Sequence, residues 1–319
     1  GPLVTGTGVR YYDYMINENG RILDFDHRPE DYSTDVLKDR AIRFIKDQSA
    51  SHDPFFLFIA PKAAHAQGPR AIPAPKYEQA LNEVHLPESP AFNEKDLRHK
   101  ALKAPNVSIK TKEDLEKSYR AELQSLQSVD DLVAAVGDAL KETGKLDNTV
   151  IIYTSDNGFL LGDHRLIGKS AAYEGSIKVP LLMRGPGIAE NEAREQLVNN
   201  LDLVATIVDL AGAKPGAAQD GKSLSPLFAA AAAPWRSALL IESPVNRFER
   251  KTNRYTGVRT PTKKYVKYEG GFEELFDLAA DPHELNNAAE DPAYSADLSA
   301  LRAMHDKLKV CAGDGCWVP

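Results

Sequence analysis

The sequence predicts an α/β protein: a layered sheet flanked by helices, followed by a smaller carboxyl-terminal α+β unit of antiparallel strands and one helix. Apolar runs of strand length, PFFLFIAP (54–61), NTVIIYTS (148–155) and VPLLMRGPG (179–187), alternate with segments whose apolar residues recur every three or four positions. From residue 234 onward the pattern changes to short strand candidates separated by turn residues. A chain of 319 residues, 42% hydrophobic and 27% charged, is long enough to bury a large core.

Taken in order, DVLKDRAIRFIK (35–46) places Leu37, Ala41, Phe44 and Ile45 on one helical face and stops before the turn-like DQSASHDP. PFFLFIAP is apolar on both faces, the pattern of a central strand covered on each side. From 62 to about 110, Pro, Ala and Lys without clear period predict a long, irregular surface excursion. Residues 112–143 give the clearest helix, with Tyr119, Leu123, Leu126, Val129, Leu132, Val133, Val136 and Leu140 in phase. Glu113 and Asp114 follow Thr111 in its first turn, and Gly144 is its stop. NTVIIYTS and VPLLMRGPG read as two further buried strands. LVNNLDLVATIVDLAGA (197–213) reads as a helix with Leu201, Val204, Ile207, Val208 and Leu210 inward and Gly212 at its end. Beyond the alanine-rich linker at 229–233, SALLIES, YTGVRT, KKYVKYEGG and EELFDL predict an antiparallel meander, closed by a helix near 294–309. The expected domains are therefore 1–233 and 234–319.

The net charge of −7 argues against general nucleic-acid binding, because no basic excess is available to neutralise phosphates. No apolar stretch approaches the roughly 18 residues that a membrane span requires, and GPLVTGTGVRYYDY lacks the layout of a signal peptide. The chain thus reads as soluble, with its export status not legible from its start. Its two cysteines, Cys311 and Cys316, stand either as a small disulfide loop suited to an oxidising compartment or as two free thiols in a tail.

Two strand exits carry candidate chemistry. After NTVIIYTS, Asp156 and Asn157 offer one charged and one neutral oxygen, suited to a hard cation such as calcium or magnesium, although Asp-Asn-Gly is equally a tight-turn sequence. His164, Arg165 and Lys169 follow on the same stretch, where a returning loop would aim them at an anion and a solvated loop would not. After PFFLFIAP, Lys62, His65 and Arg70 form a second candidate wall, with histidine able to protonate a leaving oxygen.

PFFLFIAPKAAHA, VIIYTSDNGFLLGDHRLIGKSAAYEGSIKVPLLMRGPGI, LVNNLDLVATIVDLAGA, DGKSLSPL and YVKYEGGFEELFDLAADPHELNN, in this order, resemble the type I sulfatases of the alkaline-phosphatase-like superfamily. SDNGF, the GDHR…GK…YE run, DPHELNN and the early YYDYMINENGRI are most similar to the N-acetylglucosamine-6-sulfatase-like branch. The resemblance implies removal of 6-O-sulfate from N-acetylglucosamine in sulfated glycans. It makes Asp156 and Asn157 calcium ligands, Lys169 a sulfate contact and His65 the group beside the scissile ester oxygen, with Lys62, His164 and Arg165 lining the substrate. For Tyr173 and Glu174 it leaves open a bracing role or substrate contact. Where the family has proline before the histidine, this chain has Ala64.

The family's formylglycine nucleophile arises within a C/S-x-P-S-R signature, and no such run occurs in the 319 residues. The family's amino-terminal aspartate pair and GKWH segment are not found either. Calcium takes about six to eight oxygens, more than Asp156 and Asn157 supply. The chain is accordingly expected to be a carboxyl-terminal portion that needs an amino-terminal segment to complete its site and is inactive alone. Secretion, or a periplasmic or lysosomal location, is the expectation for such a protein. Two alternatives stand beside it: a phosphodiesterase or phosphonate hydrolase of the same superfamily, and a non-catalytic module that binds sulfated glycans.

Overall fold

The computed structural model describes residues 10–229, 233–243 and 254–319. Part of the expected linker, 230–232, lies outside the described residues. The chain divides into two compact units, one running to Pro87 and resuming over Ser108–Thr149, the other comprising Glu88–Val107 and Val150 onward.

In the first unit, β1 (Tyr14–Glu18) and β2 (Arg21–Phe25) form an antiparallel hairpin with Glu18 opposite Arg21. The turn residues Asn19 and Gly20 both have positive φ, 55° and 93°, which matches the twist of the strands and suits these two residue types. Two helices, α1 (Ser33–Asp47) and α2 (Ile109–Glu142), pack on each other. Helix α2 starts earlier than its apolar period predicts because Ser108 caps it, accepting from the Thr111 amide at 3.1 Å. It stops where expected: Gly144 takes φ +67°, and the Gly144 and Lys145 amides bond back to Lys141 and Leu140.

Two expectations are corrected here. The segment from 62 is irregular as expected but not superficial throughout, since Ala71 and Ala74 are buried in a core with Tyr11, Tyr32 and Ala121. Small side chains let its backbone close over the tyrosines, and the Tyr32 hydroxyl donates to Ile72 O at 2.9 Å. PFFLFIAP, expected as a buried central strand, has no ladder partner among the described residues. Phe55 packs edge-on against Phe44 of α1, with ring centroids 5.7 Å apart, but Phe56 and Phe58 are 64% and 78% exposed. A strand is defined by the neighbour that satisfies its amides and carbonyls, and apolarity alone does not supply one.

The second unit begins with an irregular stretch, 88–107, whose base is closed by Asn93. Its side chain accepts from the Val107 amide at 2.8 Å and donates to Val107 O at 3.2 Å. Strand β3 (Ile151–Thr154) leads into a small hairpin of β4 (Leu160–Leu161) and β5 (Ile167–Gly168), then a single turn, α3 (Glu174–Ile177). Strand β6 (Leu181–Arg184) returns antiparallel to β3. These strands are only partly covered, against the expectation that both are buried, and Leu182 is 62% exposed.

Helix α4 (Asn200–Leu210) also departs from its predicted inward face: Leu201, Val204 and Leu210 are exposed, while Asp202, Ala205 and Thr206 are buried. The reason is polar anchoring. Asp202 accepts from the Asn199 and Lys222 amides at 2.8 Å each and pairs with the buried Arg236, and Thr206 accepts from the Leu224 amide at 2.8 Å. A buried carboxylate so satisfied fixes the helix rotation more firmly than its apolar stripe does. A short helix, α5 (Ser225–Ala229), follows.

The carboxyl-terminal sheet matches its prediction: β7 (Leu239–Glu242), β8 (Tyr255–Arg259), β9 (Lys263–Tyr268) and β10 (Glu273–Asp277) form an antiparallel meander in the order β10-β9-β8-β7. Helix α6 (Ser295–Leu308) covers it, with Leu298, Leu301 and Leu308 packed on Val258, Tyr265 and Leu275. Cys311 and Cys316 are joined in a disulfide. The small loop they close is tied back by the Gly313 amide, which donates to Asp220 at 2.6 Å.

One half-buried acid of α2 makes stability depend on pH. Burial raises Glu122 from its ordinary 4.5 to about 7, so the native state favours its protonated form. That contribution is complete below about 4.5 and is lost as pH rises through about 7. Glu122→Gln is expected to raise stability at pH 8 by about 1–3 kcal/mol, discounted for partial exposure, and to flatten the slope between pH 4.5 and 7 in urea titrations.

Candidate functional site

Strand β3 delivers its exit to solvent because the chain must turn immediately after Thr154, whose hydroxyl is held by Pro180 O at 2.9 Å. In the turn, Asp156 accepts from the Asn157 amide at 2.9 Å and Asn157 Nδ2 donates to Gly158 O at 2.9 Å. Asn200, at the start of α4, donates to Asp156 O at 3.3 Å and fixes the turn from outside. Gly158 then passes so close to Gly175 O that a Cβ would collide with it, and its amide donates to Ser176 O at 2.9 Å. The turn reading and the site reading of Asp-Asn-Gly are therefore compatible, since the turn presents Asp156 to solvent and leaves Asn157 Oδ1 facing a cation.

That cation is Lys169. Its Nζ lies 3.2 Å from Asn157 Oδ1, so the hairpin of β4 and β5 returns the lysine to the strand exit, one of the two courses the sequence leaves open. Lys169 and Asp156 are both exposed. A carboxylate, an amide oxygen and an ammonium thus share one solvent-facing cluster.

Buried anchors flank Lys169 in sequence. On one side, Gly162 (φ +114°) approaches the Phe92 ring so closely that a Cβ would collide with it, and His164 and Arg165 both adopt left-handed backbone conformations, φ 52° and 61°. Such conformations persist when the surroundings over-determine them, and here they do. The His164 amide donates to Ala91 O at 2.8 Å, its ring is stacked on Tyr173 at 3.9 Å, and Nδ1 lies 2.6 Å from the Glu94 carboxylate. His164 is 3% exposed. Arg165 donates from Nε to Glu94 O at 2.6 Å and from Nη2 to Lys95 O at 2.7 Å.

On the other side, Tyr173 and Glu174 are held by the carboxyl-terminal sheet, the contacts that the bracing alternative requires. The Tyr173 hydroxyl donates to Glu274 at 3.3 Å, and burial pushes its pKa well up. Arg259 forks onto Glu174 with two bonds of 3.1 Å, Lys264 lies 3.3 Å from the same carboxylate, and the Glu174 amide donates to Glu284 at 2.7 Å. Burial alone would raise the Glu174 pKa, but Lys264 and Arg259 overcome it and hold the group below the usual range. Lys264 also pairs with Glu284, and Lys100 bonds to Glu284 O and approaches Glu94 at 3.6 Å. Burial pushes the Lys100 ammonium down and the Glu274 carboxyl up.

Glu94, Lys100, Arg259, Lys264 and Glu274 are not among the residues predicted from the sequence. One signal was available: Lys264 alternates in phase with Val266 and Tyr268 along β9, and all three are buried.

Lys62 and His65 belong to the first unit, whereas Asp156, Asn157, His164, Arg165 and Lys169 belong to the second. His65 Nδ1 lies 3.0 Å from Lys62 Nζ and 2.8 Å from Ala66 O, so its tautomer selects one partner. The exposed ring sits on a backbone fixed by Tyr11, whose hydroxyl donates to His65 O at 2.9 Å and whose amide donates to Gln67 at 2.8 Å.

Asp156 and Asn157 fit a hard cation in donor type, but they are two oxygens of the six to eight or so that calcium takes. Among the described residues no group of three or more His, Cys, Asp or Glu side chains could hold a metal, and no helix is long and apolar enough to cross a membrane.

Comparison with known proteins gives three kinds of match. A family model described as Sulfatase matches residues 4–213, and one described as N-sulphoglucosamine sulphohydrolase, C-terminal, matches residues 162–311. The N-acetylglucosamine-6-sulfatase of Bos taurus is 35% identical over 97% of this chain, which spans 61% of that relative's length. A protein solved in complex with its substrate D-glucosamine-2-N,6-O-disulfate superposes with a TM-score of 0.77 at 23% identity, over 94% of this chain and 73% of the other. The phosphonate monoester hydrolase of Agrobacterium radiobacter superposes with a TM-score of 0.67 at 26% identity, over 88% of this chain and 62% of the other.

Lys264→Ala is expected to cost about 3–5 kcal/mol in chemical denaturation, because it leaves Glu174 and Glu284 without their shared buried cation. Lys264→Met, which keeps the bulk but not the charge, should likewise leave Glu284 without this cation and Glu174 with Arg259 alone, and lose a similar amount. A loss below about 1 kcal/mol in both variants would show that the cluster does not hold the loop.

Proposed function

The chain belongs to the sulfatase family, and from that membership we propose that it forms the lysine-loop portion of a sulfuric ester hydrolase that removes 6-O-sulfate from N-acetylglucosamine in glycans. The observation that carries the reading is the cluster in which Lys169 stands 3.2 Å from Asn157 beside Asp156, on a loop with buried anchors before and after the lysine. The identity of 35% to N-acetylglucosamine-6-sulfatase over 97% of the chain supports the substrate class.

A sulfate ester needs positive charge on its non-bridging oxygens and a proton for its leaving oxygen. Lys169 supplies a fixed ammonium to the former. Asp156 and Asn157 would contribute two oxygens to the shell of a hard cation, calcium or magnesium, which would supply further positive charge there. His65 is the proposed proton donor to the leaving oxygen. Arg165 and Lys62 contact the glycan, and His164 shapes the pocket from behind through Glu94 and Tyr173. The attacking group of the family, formylglycine, has no C/S-x-P-S-R precursor in these residues. An amino-terminal segment bearing that signature and further carboxylates completes the pocket in this reading, and the open apolar side chains Leu182, Leu201 and Val204 are consistent with cover from additional chain. The Cys311–Cys316 disulfide favours an exported or lysosomal protein.

The phosphonate hydrolase reading retains support from the 26% identical solved structure, and both substrates belong in one assay. The isolated chain is expected to release no sulfate from N-acetylglucosamine-6-sulfate. Complemented with an amino-terminal sulfatase segment carrying formylglycine, it should do so, and Lys169→Ala should lower kcat by about 10²–10³. Turnover by the isolated chain, or a complemented Lys169→Ala as active as its parent, would sink the proposal, and preference for a phosphonate monoester would transfer it to the second reading.

A further inference from the structure

The loop 88–107 carries a feature that the sulfate cluster does not use. Lys95, Arg98, Lys103 and Arg165 line a shallow hollow of about 470 Å³ in which Asp96 is the sole acid. Four cations against one carboxylate is a concentrated positive patch on a protein whose net charge is −7. Arg98 also lines a second hollow, of about 350 Å³, with Phe272 and Arg302. There the cations are matched by Glu273 and Glu290, and Phe272 is 40% exposed.

Two of the four cations, and the loop that carries the hollows, are held in place. Asp96 grips Arg98 through Nε at 2.9 Å and Nη2 at 2.6 Å, which orients the guanidinium while leaving the side chain 82% exposed. Arg165 is fixed by two backbone carbonyls. The loop itself is closed at its base by Asn93 and pinned to the sheet by the Ala101 amide on Glu274 at 2.8 Å and by Asn287 on His99 O at 3.0 Å. Charges held in place bind an anion with less ordering cost than free lysines would.

The geometry points to these hollows as a second binding track, in which a sulfated polysaccharide lays an anionic group against Arg98, Lys103 and Lys95 and an adjacent sugar ring against Phe272. A cationic hollow joined to a neutral one with an exposed aromatic face suits a chain that alternates charged groups with sugar rings. A nucleic acid, with a phosphate at every residue, fits it less well, because the negative remainder of the protein repels a long uniform polyanion. The track rests on the glycan reading above and borders that site at Arg165, but its binding groups, Arg98, Lys103 and Lys95, lie outside the cluster of Lys169, Asp156 and Asn157, so either can fail alone.

The test is fluorescence anisotropy of the full chain with a labelled, sulfated heparan-type hexasaccharide at two salt concentrations. Arg98→Glu/Lys103→Glu should weaken binding at least tenfold. Lys110→Glu/Lys117→Glu, which changes net charge equally on the exposed start of α2, should leave it within twofold. The milder Arg98→Gln/Lys103→Gln guards against misfolding and should give an intermediate loss. The desulfated hexasaccharide and a single-stranded oligonucleotide of equal charge should bind at least tenfold more weakly than the sulfated chain. Equal weakening in the two glutamate variants, or an oligonucleotide that binds as tightly as the glycan, would overturn the track. Binding that survives while the complemented chain shows no sulfatase activity would separate this inference from the proposed function.

Discussion

The second unit depends on the carboxylate of Glu174 being held by Arg259 and Lys264. Glu174 opens the turn α3, and Tyr173 just before it is the largest side chain in the small core with Leu160, Ala171 and Phe276. Removing charges from water costs several kcal/mol per ion and is offset only when each finds well-placed partners. Here the partners form a chain: Glu94, Lys100, Glu284, Lys264, Glu174, Arg259. The carboxyl-terminal sheet is therefore the source of the cations that fix the loop carrying Lys169.

This arrangement separates rigidity from reactivity. The anchors, buried His164 on one side and buried Tyr173 with half-buried Glu174 on the other, are multiply bonded, whereas Lys169 and Asp156 between and before them face solvent. A short exposed segment between two fixed points keeps its charge where it is needed without being buried itself. That is the economy expected of a group that must meet an anion from solution and hold it in one orientation. Helix α4 repeats the principle, with Asp202 and Thr206 fixing its rotation and its apolar side chains left outward.

What could be read from the sequence follows from distance along the chain. The long helix, its glycine stop and the four-stranded meander were legible because their signals are local periods and caps. Asp156, Asn157 and Lys169 were legible as a group for the same reason, lying within one strand-loop-strand passage. Glu284 reaches the Glu174 amide across 110 residues, and no local pattern reports such a pairing. The departures at PFFLFIAP and α4 share another cause. Apolarity predicts that a face can be covered, not which element covers it. In α4 the i, i+4 pair Asp202 and Thr206, polar within an apolar helix, was the available sign that the buried side had been misassigned.

The two units are interleaved along the chain: 88–107 leaves the first to join the second, and Ser108–Thr149 goes back. Consequently neither can be completed in the order in which it is synthesised. Glu94 and Lys100 emerge from the ribosome long before His164 and Glu284, so two buried-to-be charges must wait, solvated, until nearly the whole chain is available. Pairings of such long sequence separation close slowly. The lysine loop is thus set late in folding, and a chain cut short before Glu284 would emerge with that loop complete in sequence yet without the cluster that fixes it.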